Sequence, residues 1–353
     1  MSDPEILVRV DGRVGVLTLN RPGALHALTT GMCQAMTDAL LSWRDDARVE
    51  LVLLDHAGER GFCAGGDIRM LAESGAGDGR AAADFFLTEY RLNHLLMVYP
   101  KPIVAVIDGI TMGGGVGLSL PARYRVATER TTFAMPETGI GLFPDVGGGW
   151  HLPRMAGHTG LWLALTGARI KAADCELSGV ATDDLASADL AQFKARLIAD
   201  PAAVETILTE LEVDPGRTPL GANHDRIERL FGGDSVEAIV AALAADGTEW
   251  ANAQLATLRS KSPISVKVSF RQMQLGAKAR SFAEVMIMEY RIARRMVATH
   301  DFQEGVRAVI VDKDNKPVWA PGSIEAVSEA QVDAIFAPLP PGEEWTPLPG
   351  LSS

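Results

Sequence analysis

The chain has 353 residues, 47% hydrophobic and 22% charged, with 33 basic against 45 acidic side chains and a net charge of −12. That length suits one large domain or two ordinary ones, with ample material for a core. The acidic balance argues against a surface made for nucleic acid or anionic membrane, because both want a basic stripe. An anionic small molecule needs only local N–H groups and a basic side chain or two, and is not excluded.

The first residues, MSDPEILVRV, are acidic and carry no signal-peptide pattern. No apolar run approaches the roughly 20 residues that span a bilayer. Cys33, Cys63 and Cys175 are widely spaced and form no CxxC pair, so neither a disulfide framework nor a zinc ribbon is indicated. A reducing compartment, the cytoplasm, is expected.

In chain order, EILVRVDGRVGVLTLN (5–20) alternates around Asp11-Gly12 and predicts a hairpin. A helix starts at Thr29 or Thr30, with Met32, Met36, Ala39 and Leu40 on one face. ELVLLDHAG (50–58) reads as a buried strand and leads into the glycine-bearing loop ERGFCAGGD. Residues 81–99 predict a helix that stops at Pro100-Lys101-Pro102; PIVAVIDG, YRVAT and TTFAM read as further strands. Strands alternating with helices, several of them continuously apolar, indicate an α/β fold with crossover connections. From about residue 150 the strand signal fades into helices. Ser281 with Glu284, and Ser328 with Gln331, predict capping boxes. The tail PLPPGEEWTPLPGLSS, with five prolines, is expected to run extended over the surface.

Two glycine turns follow predicted strands: CAGGD (63–67) and GGGVG (113–117). The second satisfies no register of GxGxxG, and there is no P-loop. These glycines either make tight turns and close helix–sheet contacts or present N–H groups to one oxygen. A turn and a helix N-terminus can together hold an oxyanion, since both offer unsatisfied donors.

Three acids stand in apolar surroundings. Glu137 and Asp145 lie within FAMPETGIGLFPDVGGGW (133–150), and Glu89 shares a helical stripe with Phe85, Leu92 and Leu96. Desolvating an ionised carboxylate costs several kcal/mol unless it is paired, so such acids ask for a reason. Glu89 facing solvent, Glu137 capping a loop, and Asp145 making a Pro-Asp turn or an N-cap near Gly147 are the structural alternatives.

LNRPGALHAL (19–28), FCAGGDIR (62–69), GGGVG and MPETGIGLFPDVGGG (135–149) together resemble the crotonase, or enoyl-CoA hydratase/isomerase, superfamily, in order along nearly the whole chain. HDFQEGVRAVIVDKDNKPVW (300–319), with VIDGITMGGGVGLS and GLFPDVGGGW, resembles its 3-hydroxyisobutyryl-CoA hydrolase branch of valine breakdown. The resemblance implies a crotonase-type ββα spiral core over 1–200, a helical C-terminal region over 201–340, and a proline-rich tail over 341–353. It also implies oxyanion donors at Gly66 and Gly114. Contacts to coenzyme A, as part of the substrate, would fall near Leu25, Ala64, Gly65, Gly66, Asp67 and Ile68. His26 stands where asparagine is usual and is read as a structural replacement.

By the same resemblance, a simple hydratase uses two glutamates, and the first of those positions is Gly117 here. Glu137 holds the second. Asp145 is an aspartate that the hydrolase branch carries, and Glu89 corresponds to a substrate-binding glutamate of that branch. The implied reaction is thioester hydrolysis, with Glu137 as general base or as a nucleophile forming an acyl-enzyme anhydride. Asp145 would orient water or bind the substrate hydroxyl, and Gly114, Glu89, Glu137 and Asp145 would meet the substrate. No metal and no separate cofactor are expected, since His94, His151, His158 and His300 show no ligand spacing with one another. Hydration or isomerisation by Glu137 alone, and a non-catalytic coenzyme A-binding protein, are the alternatives. A homo-oligomer is possible by analogy with smaller relatives.

Overall fold

The computed structural model describes residues 4–351. The predicted hairpin is β1 (Ile6–Asp11) paired antiparallel with β2 (Val14–Leu19). Helix α1 (Thr30–Arg44) begins at Thr29, whose hydroxyl accepts from the Met32 N–H at 3.2 Å, and buries Met32, Met36, Ala39 and Leu40. There follow β3 (Leu51–His56), α2 (Ile68–Gly75), α3 (Arg80–Met97), β4 (Ile103–Val106) and β5 (Ile110–Met112). After these come α4 (Gly114–Ser119), β6 (Tyr124–Ala127) and β7 (Thr132–Ala134). Past residue 150 the chain is mostly helical. Two strands of two residues each, β8 (Ile170–Lys171) and β9 (Asp183–Asp184), interrupt it. A strand that short has no period to read, which is why the sequence gives no warning of it.

Two compact units interleave along the chain. One runs to Gly66 and continues through Leu92–Ala134 and Arg169–Ala222; the other comprises Asp67–Arg91, Met135–Ala168 and Asn223 onward. This division differs from a boundary at residue 200, because distant segments share each unit.

The first unit holds every strand named above. One sheet has the order β1-β2-β3-β4-β6-β9, parallel throughout except for the β1–β2 pair. A second sheet has the order β5-β7-β8. Every residue of β2, β3 and β4 is buried, including β2, whose sequence alternates, as expected of parallel strands covered on both faces. Val16, Leu53, Val104 and Val126 form one core with Phe193 and Leu197 of the helix Leu190–Ala199 and Ile207 of the helix Val204–Leu211.

In the second unit, the helix Pro263–Gly276 is buried nearly all round, including Ser265, Ser269 and Gln272. The helix Phe282–Met296 starts at Ser281 as predicted, and the Ser281 hydroxyl accepts from the Glu284 N–H. The return half of that capping box is displaced: Glu284 accepts from the Arg280 N–H at 2.9 Å. The box at Ser328 and Gln331 is complete. The tail is bound more firmly than its prolines suggest. Trp345 is 1% exposed, Glu344 pairs with Arg291 at 2.8 Å, and Arg91 donates to the Thr346 carbonyl at 2.9 Å.

Candidate active site

The glycine turns belong to the first unit and are built from backbone. Cys63 N–H donates to the Ile110 carbonyl at 3.0 Å and Met112 N–H to the Cys63 carbonyl at 2.9 Å, which laces the 63–66 loop to β5. Leu28 N–H to the Gly65 carbonyl (2.8 Å) and Ala64 N–H to the Leu25 carbonyl (2.9 Å) hold the other side of the loop. Gly65 has φ +116, and a side chain placed there would come within 3.9 Å of the Gly114 nitrogen. The two turns therefore lie side by side. Gly115 shows how closely: a Cβ on it would sit 2.7 Å from the Cys63 carbonyl oxygen. Gly114 is the first residue of α4, where helix geometry leaves the N–H without an intrahelical acceptor. Gly66 follows directly on the laced loop.

His26, at φ 56, accepts from the Arg21 N–H at Nδ1 and meets the Ala57 carbonyl at Nε2, both at 2.9 Å. Burial lowers its pKa, so it serves the loop as a neutral hydrogen-bonding ring. Asp67 caps α2, accepting from the Met70 N–H at 3.4 Å, and Ile68 opens that helix.

The acids belong to the second unit. Glu89 on α3, Glu137 and Asp145 are exposed by only 2%, 6% and 6%, so the solvent-facing reading of Glu89 does not hold. Glu137 opens a single 3-10 turn, Glu137–Ile140, closed by Leu142 N–H donating to its carbonyl at 3.0 Å. That turn ends at Gly141, φ +75, where a Cβ would lie 2.3 Å from the carbonyl carbon of Asp301. Here the C-terminal stretch around Asp301 fixes the segment that carries Glu137. Asp145 does sit in a turn, with Gly148 N–H donating to its carbonyl at 2.7 Å. Its side chain caps no helix; Oδ2 instead accepts from the Tyr90 hydroxyl at 2.8 Å.

Asp145 is the common electrostatic neighbour. Burial, then the Asp145 charge, push Glu137 well above the usual carboxylate range, against the pull of Lys261. Burial, Asp145 and Glu289 do the same to Glu89. Asp145 itself is raised by burial to about 6, with the Tyr90 hydrogen bond opposing the rise. One oxygen of Glu137 and one of Glu89 have no hydrogen-bond partner among the described residues. A buried carboxylate in that condition is a candidate for meeting a ligand or a reacting water.

Three participants escaped the sequence reading. Tyr90 is buried beside Glu89, and Gln272 and Glu289 are 0% exposed. Glu289 had a legible signal, for it sits mid-stripe among Val285, Met286, Ile292, Ala293 and Met296, as Glu89 does on α3. Among the described residues, the close group of potential cation ligands is the half-buried His224 with the exposed Asp225 and Glu228, which includes none of the four histidines considered from sequence.

The family model described as enoyl-CoA hydratase/isomerase matches residues 14–336. The chain belongs to that family. It shares the crotonase α/β fold with a helical C-terminal region, and its likeness to solved structures is close. It superposes on a carnitinyl-CoA dehydratase from Mycobacterium thermoresistibile with TM-score 0.93 at 41% identity, covering 98% of this chain and 99% of that one. An enoyl-CoA hydratase from Rhodobacter sphaeroides gives TM-score 0.88 at 40% identity, covering 97% and 100%. Among curated relatives, the mitochondrial 3-hydroxyisobutyryl-CoA hydrolase of Danio rerio is 47% identical over 95% of this chain and 90% of its own. The Homo sapiens protein of the same name is 42% identical over 95% and 89%. No helix among the described residues is long and apolar enough to cross a membrane.

Proposed function

We propose that this crotonase-family chain hydrolyses 3-hydroxyisobutyryl-CoA to 3-hydroxyisobutyrate and coenzyme A, a step of valine breakdown. The observation that carries the reading is the buried acid group: Glu137 with an oxygen left unpartnered, coupled to Asp145, in a chain whose residue 117 is glycine. Position 117 is where a two-glutamate hydratase needs its other acid, and glycine neither gives nor takes a proton.

Thioester hydrolysis asks for donors to the oxyanion and a carboxylate for the water. The first unit offers the Gly66 and Gly114 amides, which at ~3–4 kcal/mol per donor would stabilise the charge that forms on the carbonyl oxygen. The second offers Glu137. In the general-base form, Glu137 takes a proton from water as the water oxygen bonds to the thioester carbon. The C–S bond then breaks, and the proton passes to the departing thiolate. In the covalent form, a Glu137 oxygen bonds to that carbon, coenzyme A leaves, and water opens the anhydride. Asp145, held by Tyr90, orients the water or receives the substrate hydroxyl with Glu89. Leu25, Ala64, Gly65, Gly66, Asp67 and Ile68 would take the coenzyme A portion, and no separate cofactor enters. Three buried thiols suit a reducing compartment. We assign the cytoplasm, whereas the relatives' names place those proteins in mitochondria.

The second reading is hydration or dehydration, favoured by the names of the two solved relatives, a dehydratase and a hydratase. Offering 3-hydroxyisobutyryl-CoA and crotonyl-CoA side by side separates the two. Hydrolysis gives free thiol from the first substrate. Water addition to the second without thiol release would replace the proposal by the hydratase reading.

A further inference from the structure

Asp145 sits in a turn that its own sequence does not favour. Val146 has φ 51, in the left-handed region where a β-branched residue is a clear outlier, and Gly147 follows at φ 91. Something outside the turn must hold it, and the structure supplies two side chains from helices far along the chain. Glu289 accepts from the Gly147 N–H at Oε2 and from the Gly149 N–H at Oε1, both at 2.8 Å. Gln272 Nε2 donates to the Pro144 carbonyl at 2.6 Å and to Glu289 Oε1 at 3.0 Å. The residue before Asp145 and the residues after it are thus tied to one buried pair. There is no room for slack: a Cβ at Gly149 would lie 3.0 Å from Gln272 Nε2 and 3.0 Å from Glu289 Oε1, and one at Gly147 would lie 2.7 Å from the Phe282 ring.

A carboxylate is a costly way to satisfy two amides. Burial, helped by the Asp145 charge, raises Glu289 to about 8 against the three N–H donors that favour its ionised form. An apolar side chain here would leave the Gly147 and Gly149 amides buried without an acceptor. We propose that Glu289, braced by Gln272, is a positioning residue that acts through Asp145: it holds the 144–149 turn in the strained form that aims the Asp145 carboxylate at Tyr90 and Glu137. This rests on Asp145 acting in the reaction proposed above.

The test is a double-mutant cycle in the full-length protein, run on whichever acyl-CoA the wild type turns over, so that failure of the hydrolase reading is seen separately in the wild type. Glu289→Gln puts an NH2 group against at least one turn amide. It is expected to lower kcat by about a hundredfold, as a misplaced reacting group does, with KM within about twofold. Combined with Asp145→Asn, it should cost nothing further, because the aspartate it positions is already gone. Losses that multiply in the double variant would assign Glu289 to general stability and overturn the proposal, as would a folded Glu289→Gln with wild-type kcat. Should Glu289→Gln not fold, Gln272→Met carries the same cycle. It removes the Gln272 hydrogen bonds to Pro144 and to Glu289 while keeping the Glu289 carboxylate; a roughly fivefold loss of kcat that vanishes in the Asp145→Asn background supports the proposal, and unchanged kcat or a multiplied loss refutes it.

Discussion

The two units prepare their chemistry by opposite means. In the strand-bearing unit the proposed functional atoms are backbone amides, fixed by main-chain hydrogen bonds between the 63–66 loop, β5 and the Leu25–Leu28 segment. Little can titrate there, and what must be conserved is shape. In the helical unit the proposed functional atoms are carboxylates; side chains from three remote segments hold Asp145 and its turn, and burial raises the pKa of both Glu137 and Asp145. The comparison teaches that a donor made of backbone is cheap to keep buried, whereas an acid must be held, partnered and tuned. Substitutions in the first unit should therefore act through geometry, and those in the second through charge and proton position.

The largest effect falls on the acid itself. Glu137→Gln keeps the volume and removes both base and nucleophile, so kcat should fall about 10³-fold with KM changed by less than about threefold; steady-state kinetics on the acyl-CoA check it. Gly115→Ala is the counterpart in the other unit. It forces the Cys63 and Gly114 turns apart without touching a titratable group, and should cost about 10²-fold in kcat while leaving the pH profile where it was. A shifted profile in that variant would break the comparison.

The pH dependence sharpens it further. Burial raises Asp145 to about 6 and Glu137 well above the usual range, so these acids hold protons at pH values where surface carboxylates have lost them. Activity needing the ionised form should rise with an ascending limb at pH 6 or above, rather than near 4. Because the Tyr90 hydroxyl lowers the Asp145 pKa, Tyr90→Phe should move an Asp145 limb to higher pH and reduce kcat several-fold, an effect of about 1 kcal/mol.

The smallest expected effect lies on the edge strand β9. Asp184 is 3% exposed, has no side-chain partner among the described residues, and is raised to about 6 by burial and by Glu176, Asp183 and Glu212. Its folded pKa lies above the unfolded one, so ionisation opposes folding, with the full cost present above pH 6 and none well below 4. Asp184→Asn should raise Tm by about 2–4 °C at pH 8 and leave it unchanged at pH 4.

The parts of this architecture that were legible in sequence are those written locally. Asp11-Gly12 gave the hairpin, Thr29 the helix start, and the apolar runs of β3 and β4 the buried sheet. Glu137 and Asp145 stood out because carboxylates in an apolar run need an explanation. Hidden from sequence was whatever depends on long-range pairing. Gln272 is 128 residues from Pro144, and Glu289 is 142 residues from Gly147. Glu289 lay on a helical stripe that could have flagged it, but the partners that give it meaning could not be read. β8 and β9 were too short to carry a period. The tail does run irregularly over the surface, and what the sequence did not show is its anchor, the buried Trp345.

Both proposed routes put a solvent oxygen into the product acid and release coenzyme A as the thiol. Turnover of 3-hydroxyisobutyryl-CoA in heavy-oxygen water, with the product acid analysed by mass spectrometry, tests this directly. Hydrolysis by the proposed route places the heavy oxygen in the carboxylate and releases one thiol per acid formed. Label entering the hydroxyl group while the thioester stays intact would mean dehydration and rehydration, and would contradict it.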